Sequence, residues 1–208
     1  MDRKLFVAGA TGAVGRAVVR LGDAQGVALV AHMRPRPDRT GQTAHAAVLD
    51  LADTDALERA LSGATTIVQL IGTIRKRFAA GDTYETSDIG TTRQLVAGAK
   101  RAPSVDHIVL LSAVGAGRPI GAYLKAKAAA EAIVRDSGIA WTIFRPSAFE
   151  GEGHHAPPLL GGVTRLLRLD SWRPIEVDAL ARAILRSAVE RGPLGAILEG
   201  RSLWDFVR

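Results

Sequence analysis

The 208-residue chain contains no cysteine, which excludes disulfides, thiolate metal sites and a cysteine nucleophile. Its stability therefore has to come from packing. Aromatic residues are scarce at 5%; Trp141, Trp172 and Trp204 stand isolated and read as packing residues. No apolar run reaches membrane-spanning length, and the opening MDRKLFVAGATG lacks a signal-like segment, so the expectation is a cytoplasmic protein without membrane insertion. Acids are in deficit, 21 against 27 basic residues for a net charge of +6. The arginines are scattered, with no basic run and no interleaved aromatics, so no nucleic-acid partner is expected and anionic small molecules fit better. His154 and His155 are adjacent, and neighbouring imidazoles point in different directions. With no acid-rich ligand set beside them, no metal site is expected.

Short, continuous apolar runs recur along the chain: 4–9, 27–33, 45–50, 65–72, 106–112, 140–146 and a seventh at 196–200. Between them lie alanine-rich stretches with helical spacing, at 13–24, 53–63, 86–102, 123–138 and 177–191. Continuous rather than alternating apolar strands, separated by helices, predict a parallel sheet buried on both faces. The expected architecture is an α/β doubly wound Rossmann fold with a central parallel sheet, a single domain over residues 1–208. The Gly- and Pro-rich segment 147–174 reads as a substrate or lid loop.

The stretch LFVAGATGAVGRAVV (5–19) places Gly9, Gly12 and Gly15 between the first strand and the first helix. Such a turn supplies positive φ, close backbone approach to a phosphate and tight helix–strand packing, and helix N-terminal N–H groups can bind an anion. A turn that merely joins strand to helix is the alternative. After the second strand, where an NAD site places an acid for the ribose hydroxyls, the sequence reads AHMRPRPDR. Arg34 occupies that place, followed by Arg36 and Arg39. A guanidinium pairs with a 2′-phosphate through charge-assisted hydrogen bonds, which points to NADP(H) rather than NAD. The alternative is a solvated basic loop.

Ser112 ends the fifth strand, and eleven residues later YLKAK sets Tyr123 and Lys127 four apart on one helix face. An ammonium beside a phenol stabilises the phenolate and lowers its pKa, and a serine hydroxyl can hold a carbonyl oxygen. Glu131, one turn beyond Lys127, could restrain the lysine or form a surface pair.

With these residues in view, the chain resembles the short-chain dehydrogenase/reductase superfamily, in its atypical and extended NAD(P)-binding branch. It is most similar there to the Tat-interacting-protein-type oxidoreductases. GATGAVG resembles the branch's cofactor turn, VLDLAD its third strand end, TSDIGTTRQLVAGAKRA a helix motif built around an Asn, and GIAWTIFRPSAF the segment lining the nicotinamide pocket. The resemblance implies that Gly9, Thr11, Gly12, Ala13, Val14 and Gly15 cradle the pyrophosphate. It implies that Asp50 meets the adenine with Leu51 packed on it, and that Gly72 and Pro146 also border the cofactor. Tyr123 would be the proton donor, Lys127 its pKa-lowering partner and ribose ligand, and Ser112 the carbonyl-orienting hydroxyl. Asp88 stands where the family has Asn, a departure that bears on the proton relay. The implied function is an NADPH-dependent oxidoreductase acting on a small carbonyl or related substrate, with homodimerisation through the helices at 84–101 and 119–138. A different class, an NADP(H)-binding sensor or assembly factor without turnover, shares the fold; retention of Ser, Tyr and Lys together favours the enzyme.

Overall fold

In the computed structural model, residues 3–36, 45–73, 81, 83–150 and 173–208 are described. Arg39, His154, His155, Trp172 and most of the 147–174 segment lie outside them. Seven strands form one sheet: β1 (Lys4–Ala8), β2 (Ala28–Met33), β3 (Ala46–Val48), β4 (Thr66–Gln69), β5 (His107–Leu111), β6 (Ala140–Arg145) and β9 (Ala196–Glu199). Their order is β3-β2-β1-β4-β5-β6-β9, and every neighbouring pair is parallel. The seven apolar runs thus each supply a strand. The chain moves outward from β1 through β2 to β3, then returns to the other side of β1 at β4. That reversal is a topological switch point, where the strand ends open a crevice.

The pleat sorts successive side chains to opposite faces, and both faces are covered. Leu5, Val7, Val109, Leu111 and Phe144 pack with helices α1 (Ala13–Ala24) and α5 (Val177–Glu190). Phe6, Ala8, Ile67, Ile108 and Ile143 pack on the other side against α2 (Thr54–Leu61), α3 (Thr91–Arg101) and the buried Val134 of α4 (Gly121–Arg135). Local chemistry agrees with these boundaries. Asp53 caps α2 by accepting from the Ala56 N–H at 2.9 Å, while Lys100 and Arg101 occupy the last turn of α3, where cations oppose the helix dipole.

Three features depart from the pattern read in the sequence. The helix expected to begin at residue 86 is entered through a π-helical segment, Tyr84–Gly90, opened by a reciprocal cap between Thr83 and Thr86. Its wider turn buries both Ser87 and Asp88. A seventh apolar run is followed by a further helix, α6 (Arg201–Val207), whose Trp204 and Phe206 pack on the α1–α5 core. Finally, β7 (Phe149–Glu150) and β8 (Ile175–Glu176) pair in parallel, Phe149 opposite Ile175. This pairing brings the two ends of the proposed lid segment side by side. Among the described residues, no helix is long and apolar enough to cross a membrane.

Candidate functional site

A cleft of about 420 Å³ opens along the C-terminal ends of β1 to β4, at the switch point. Its lining includes Gly9, Thr11 and Gly12 from the first turn, Arg34 and Arg36 beyond β2, Asp50 and Leu51 beyond β3, and Leu70 to Gly72 beyond β4. These residues run from Gly9 to Gly72 in sequence; the parallel sheet delivers them to one edge because all its strands end on the same side.

The three glycines of the turn do different things. Gly9 has φ +89°, and a Cβ there would lie 2.8 Å from the Leu70 carbonyl carbon. Gly15 lets α1 sit on the turn, since a Cβ would stand 2.1 Å from the Gly9 carbonyl oxygen. Both are demanded by the fold itself. Gly12 is not: its backbone is extended (φ −75°, ψ 168°), and a Cβ would meet only the Gly9 carbonyl oxygen, at 3.4 Å. Its bareness leaves room on the cleft side. Gly12 is also the N-cap of α1, with no side-chain cap and no acid in the first turn. Ala13, Val14 and Gly15 fill that first turn, where N–H groups have no intrahelical acceptor. An extended backbone at the cap, an open approach and an acid-free helix start fit a pyrophosphate.

The opposite end of the cleft carries the basic residues. Arg34 and Arg36 are exposed on its rim. His32, beneath them, is buried and bonded to the Leu49 carbonyl at 3.0 Å; burial lowers its pKa, and Arg34 pushes in the same direction. The cation density needed for a phosphate therefore falls to the arginines. Asp50 is turned to its own backbone, accepting from the Ala52 N–H at 2.9 Å, and Leu51 is buried beside it. Thr86, Ser87, Thr91 and Gln94 also line the cleft. Sequence reading did not single out these four: Thr86 and Ser87 lie on the π-helical segment and Thr91 and Gln94 on the first turn of α3, a stretch whose pattern reads as one ordinary helix.

Gly72 joins this cleft to the Tyr123–Lys127 pair. A Cβ on Gly72 would lie 2.6 Å from Lys127 Nζ and 3.1 Å from Asp88 Oδ1, so only glycine allows the ammonium to come so close to the strand end. Lys127, itself buried, forms an ion pair with Asp88 at 2.8 Å. The other carboxylate oxygen of Asp88 accepts from the Thr73 N–H at 3.0 Å. Lys127 Nζ lies 5.8 Å from the centre of the Tyr123 ring, and Tyr84 of the π-helical segment packs against the same ring at 5.8 Å between centroids.

The expected acidification of the phenol is not found. Burial pushes the Tyr123 pKa above its ordinary value. Lys127 does pull it down, but Asp88 and Tyr84 push it back up. The lysine's field is answered by the carboxylate that it touches.

Ser112 and Glu131 also stand differently from the sequence reading. Glu131 is fully buried and reaches away from Lys127: it accepts from Arg145 Nε at 2.8 Å and from Arg145 Nη2 at 2.6 Å. A surface pair one helical turn long is replaced by a bidentate pair between α4 and β6. Arg145 extends to Glu199 of β9 at 2.8 Å, and its pKa is raised by the Glu131 bonds. Ser112 Oγ donates to Glu131 Oε1 at 2.6 Å and is buried. A hydroxyl has one proton to give, so orienting a substrate carbonyl would require Ser112 to leave Glu131. Pro146, also buried, accepts from the Val114 N–H at 2.9 Å and ties the exits of β5 and β6 together. Among the described residues, no group of three or more His, Asp or Glu side chains could hold a metal ion.

The model of a family described as NAD(P)H-binding matches residues 9–190. A (4-alkanoyl-5-oxo-2,5-dihydrofuran-3-yl)methyl phosphate reductase from Streptomyces griseus subsp. griseus is 31% identical over 202 residues, covering 93% of this chain and 67% of that protein. A chloroplastic divinyl chlorophyllide a 8-vinyl-reductase from Cucumis sativus is 28% identical over 166 residues, 71% of this chain but 39% of the reductase. Among solved structures, MoeE5 in complex with UDP-glucuronic acid and NAD superposes with a TM-score of 0.72 at 22% identity, covering 95% of this chain and 76% of its own. The oxidoreductase ylbE from Lactococcus lactis gives 0.70 at 19%, covering 93% and 88%. At such identities these two structures speak for the fold.

Proposed function

The chain belongs to the NAD(P)H-binding family, as a member of the atypical short-chain dehydrogenase/reductase superfamily, and from that premise we propose that it is an NADPH-dependent reductase of a small carbonyl or related substrate. One observation carries the proposal: a single cleft runs from the glycine turn and helix N-terminus to two arginines, and its Gly72 wall adjoins the Lys127–Tyr123 pair. In this reading, the first turn of α1 holds the pyrophosphate, Arg34 and Arg36 hold the 2′-phosphate, and Asp50 with Leu51 borders the adenine. Lys127 holds a ribose hydroxyl. The bound dinucleotide supplies a hydride, and Tyr123 gives its Oη proton to the substrate atom that gains negative charge. That the Streptomyces and Cucumis relatives are both named reductases supports the direction.

One observation favours a second reading, a cofactor-binding sensor without turnover: the Ser112 proton is engaged by Glu131. A screen of carbonyls and quinones with NADPH separates the two. With a turned-over substrate in hand, Tyr123→Phe should keep NADPH affinity and lower turnover by about 10²–10⁴-fold, the usual value of general acid catalysis. A loss under tenfold removes Tyr123 as the acid. No turnover across the screen, with tight NADPH binding, moves the assignment to the sensor.

A further inference from the structure

We propose that Asp88 is a positioning residue: by holding the Lys127 ammonium in a buried ion pair beside Tyr123, it cancels most of the lysine's field at the phenol and so sets how tightly Tyr123 holds the proton it gives. The inference rests on the reading of Tyr123 as the proton donor, and it assigns a role to a carboxylate that occupies the place of an amide in the resembled family.

The geometry isolates the pair well. Asp88 is 1% exposed and Lys127 7%, so their 2.8 Å contact is little screened by solvent. The carboxylate is fixed from two sides, by Lys127 at one oxygen and the Thr73 N–H at the other. It rides on the π-helical segment whose Tyr84 packs on the Tyr123 ring, so the segment that delivers the charge also walls the phenol. Gly72 keeps the space in which ammonium and carboxylate meet.

The consequence is electrostatic. A lone ammonium about 6 Å from a phenol, at an effective dielectric of about 20, raises its acidity on the order of tenfold to a hundredfold. A carboxylate touching that ammonium cancels most of the field. Among the described residues, the groups facing Tyr123 are Lys127 from its own helix and Asp88 and Tyr84 from the π-helical segment; of these only Lys127 favours the phenolate, and the partial burial of the ring opposes it. The phenol thus stays protonated over the neutral range. In the forward reaction Tyr123 would give its Oη proton to the substrate atom that gains negative charge and water would return a proton to the phenolate, while a bound dinucleotide would supply the hydride. The reverse reaction would start from the phenolate, so its rate would climb with pH along the titration of that phenol. An amide at position 88 would keep the Thr73 contact while removing the cancelling charge.

The chain has two tyrosines, so in a Tyr84→Phe background the ultraviolet signal of tyrosinate reports Tyr123 alone. Adding Asp88→Asn should lower the Tyr123 midpoint by about one unit or more, a tenfold gain in acidity, with an unchanged circular dichroism spectrum. A midpoint that stays within about 0.2 units overturns the proposal. If the Asn variant does not fold, Asp88→Ser in the same background is read by the same criterion: a midpoint lowered by about one unit or more supports the cancellation, and one within about 0.2 units overturns it. The titration needs no cofactor. Failure to bind NADPH by the unaltered protein would therefore remove the reductase reading while leaving this electrostatic result standing. Where turnover is found, Asp88→Asn should also move the alkaline limb of the reductive pH–rate profile down by about one unit; a limb that stays in place counts against the role.

Discussion

Replacing Gly12 by valine separates the demands of the fold from those of the ligand. The Gly12 backbone lies in the extended region open to any residue, and the nearest atom to an added Cβ is 3.4 Å away, an ordinary contact. The folded chain should lose only the N-cap preference, about 1 kcal/mol, which in a chain of this size lowers the thermal midpoint by roughly 2–4 °C. The side chain would instead occupy the approach to the α1 N-terminus. Loss of even one charge-assisted bond from an N–H to a phosphate is worth about 1.5–3 kcal/mol, so NADPH affinity should fall at least tenfold, by roughly one decade per 1.4 kcal/mol. Gly15→Ala is the contrasting case, because its Cβ would stand 2.1 Å from the Gly9 carbonyl oxygen and 2.8 Å from the Ala10 Cα. Backbone must shift, and the expected loss is roughly 1–3 kcal/mol of stability. Calorimetric titration with NADPH, beside thermal melts of both variants, reads the two effects apart. A Gly12→Val protein that melts normally and binds NADPH with unchanged affinity would refute the cradle.

Two other predictions address buried groups. His107 is fully buried, and desolvation, helped by the nearby Arg3 and Arg191, lowers its pKa to about 4. The unfolded chain takes up a proton near 6.5 that the folded chain resists, so the stability from this group is complete above pH 6.5 and is lost as pH falls towards 4. The loss amounts to roughly 3 kcal/mol. Urea unfolding at pH 7.5 and 4.5 should show a smaller drop for His107→Gln than for the unaltered chain; equal drops would contradict the assignment. Ser112→Ala should reduce stability by about 1–3 kcal/mol, because a buried Glu131 oxygen loses a donor, and should change turnover less than tenfold. A hundredfold loss of turnover with an unchanged melt would return Ser112 to the carbonyl.

Much of the fold was legible because each buried strand is a short unbroken apolar run, and the seven runs each became a strand of one parallel sheet. Helix α6 was not legible: seven residues make fewer than two turns, too short for a hydrophobic period to show. The π-helical segment was hidden for another reason, since its pattern of apolar residues reads as ordinary helix. The glycine turn and the arginines could be read locally, each being set by its place after one strand. Glu131 could not, because its partner Arg145 lies on another element, and local spacing offered only Lys127. Asp88 lay between these cases: its departure from an amide was visible, but its contact with Lys127 depends on Gly72, brought alongside by β4.

The most direct test of the central claim is a calorimetric comparison of NADPH with NADH on the unaltered protein and on Arg34→Glu. A 2′-phosphate held by a guanidinium should give NADPH at least tenfold tighter binding than NADH, a difference of about 1.4 kcal/mol. Arg34→Glu should reverse the order. Equal affinities of the unaltered protein for the two dinucleotides would contradict the NADPH assignment, and no binding of either would contradict the reductase reading as a whole.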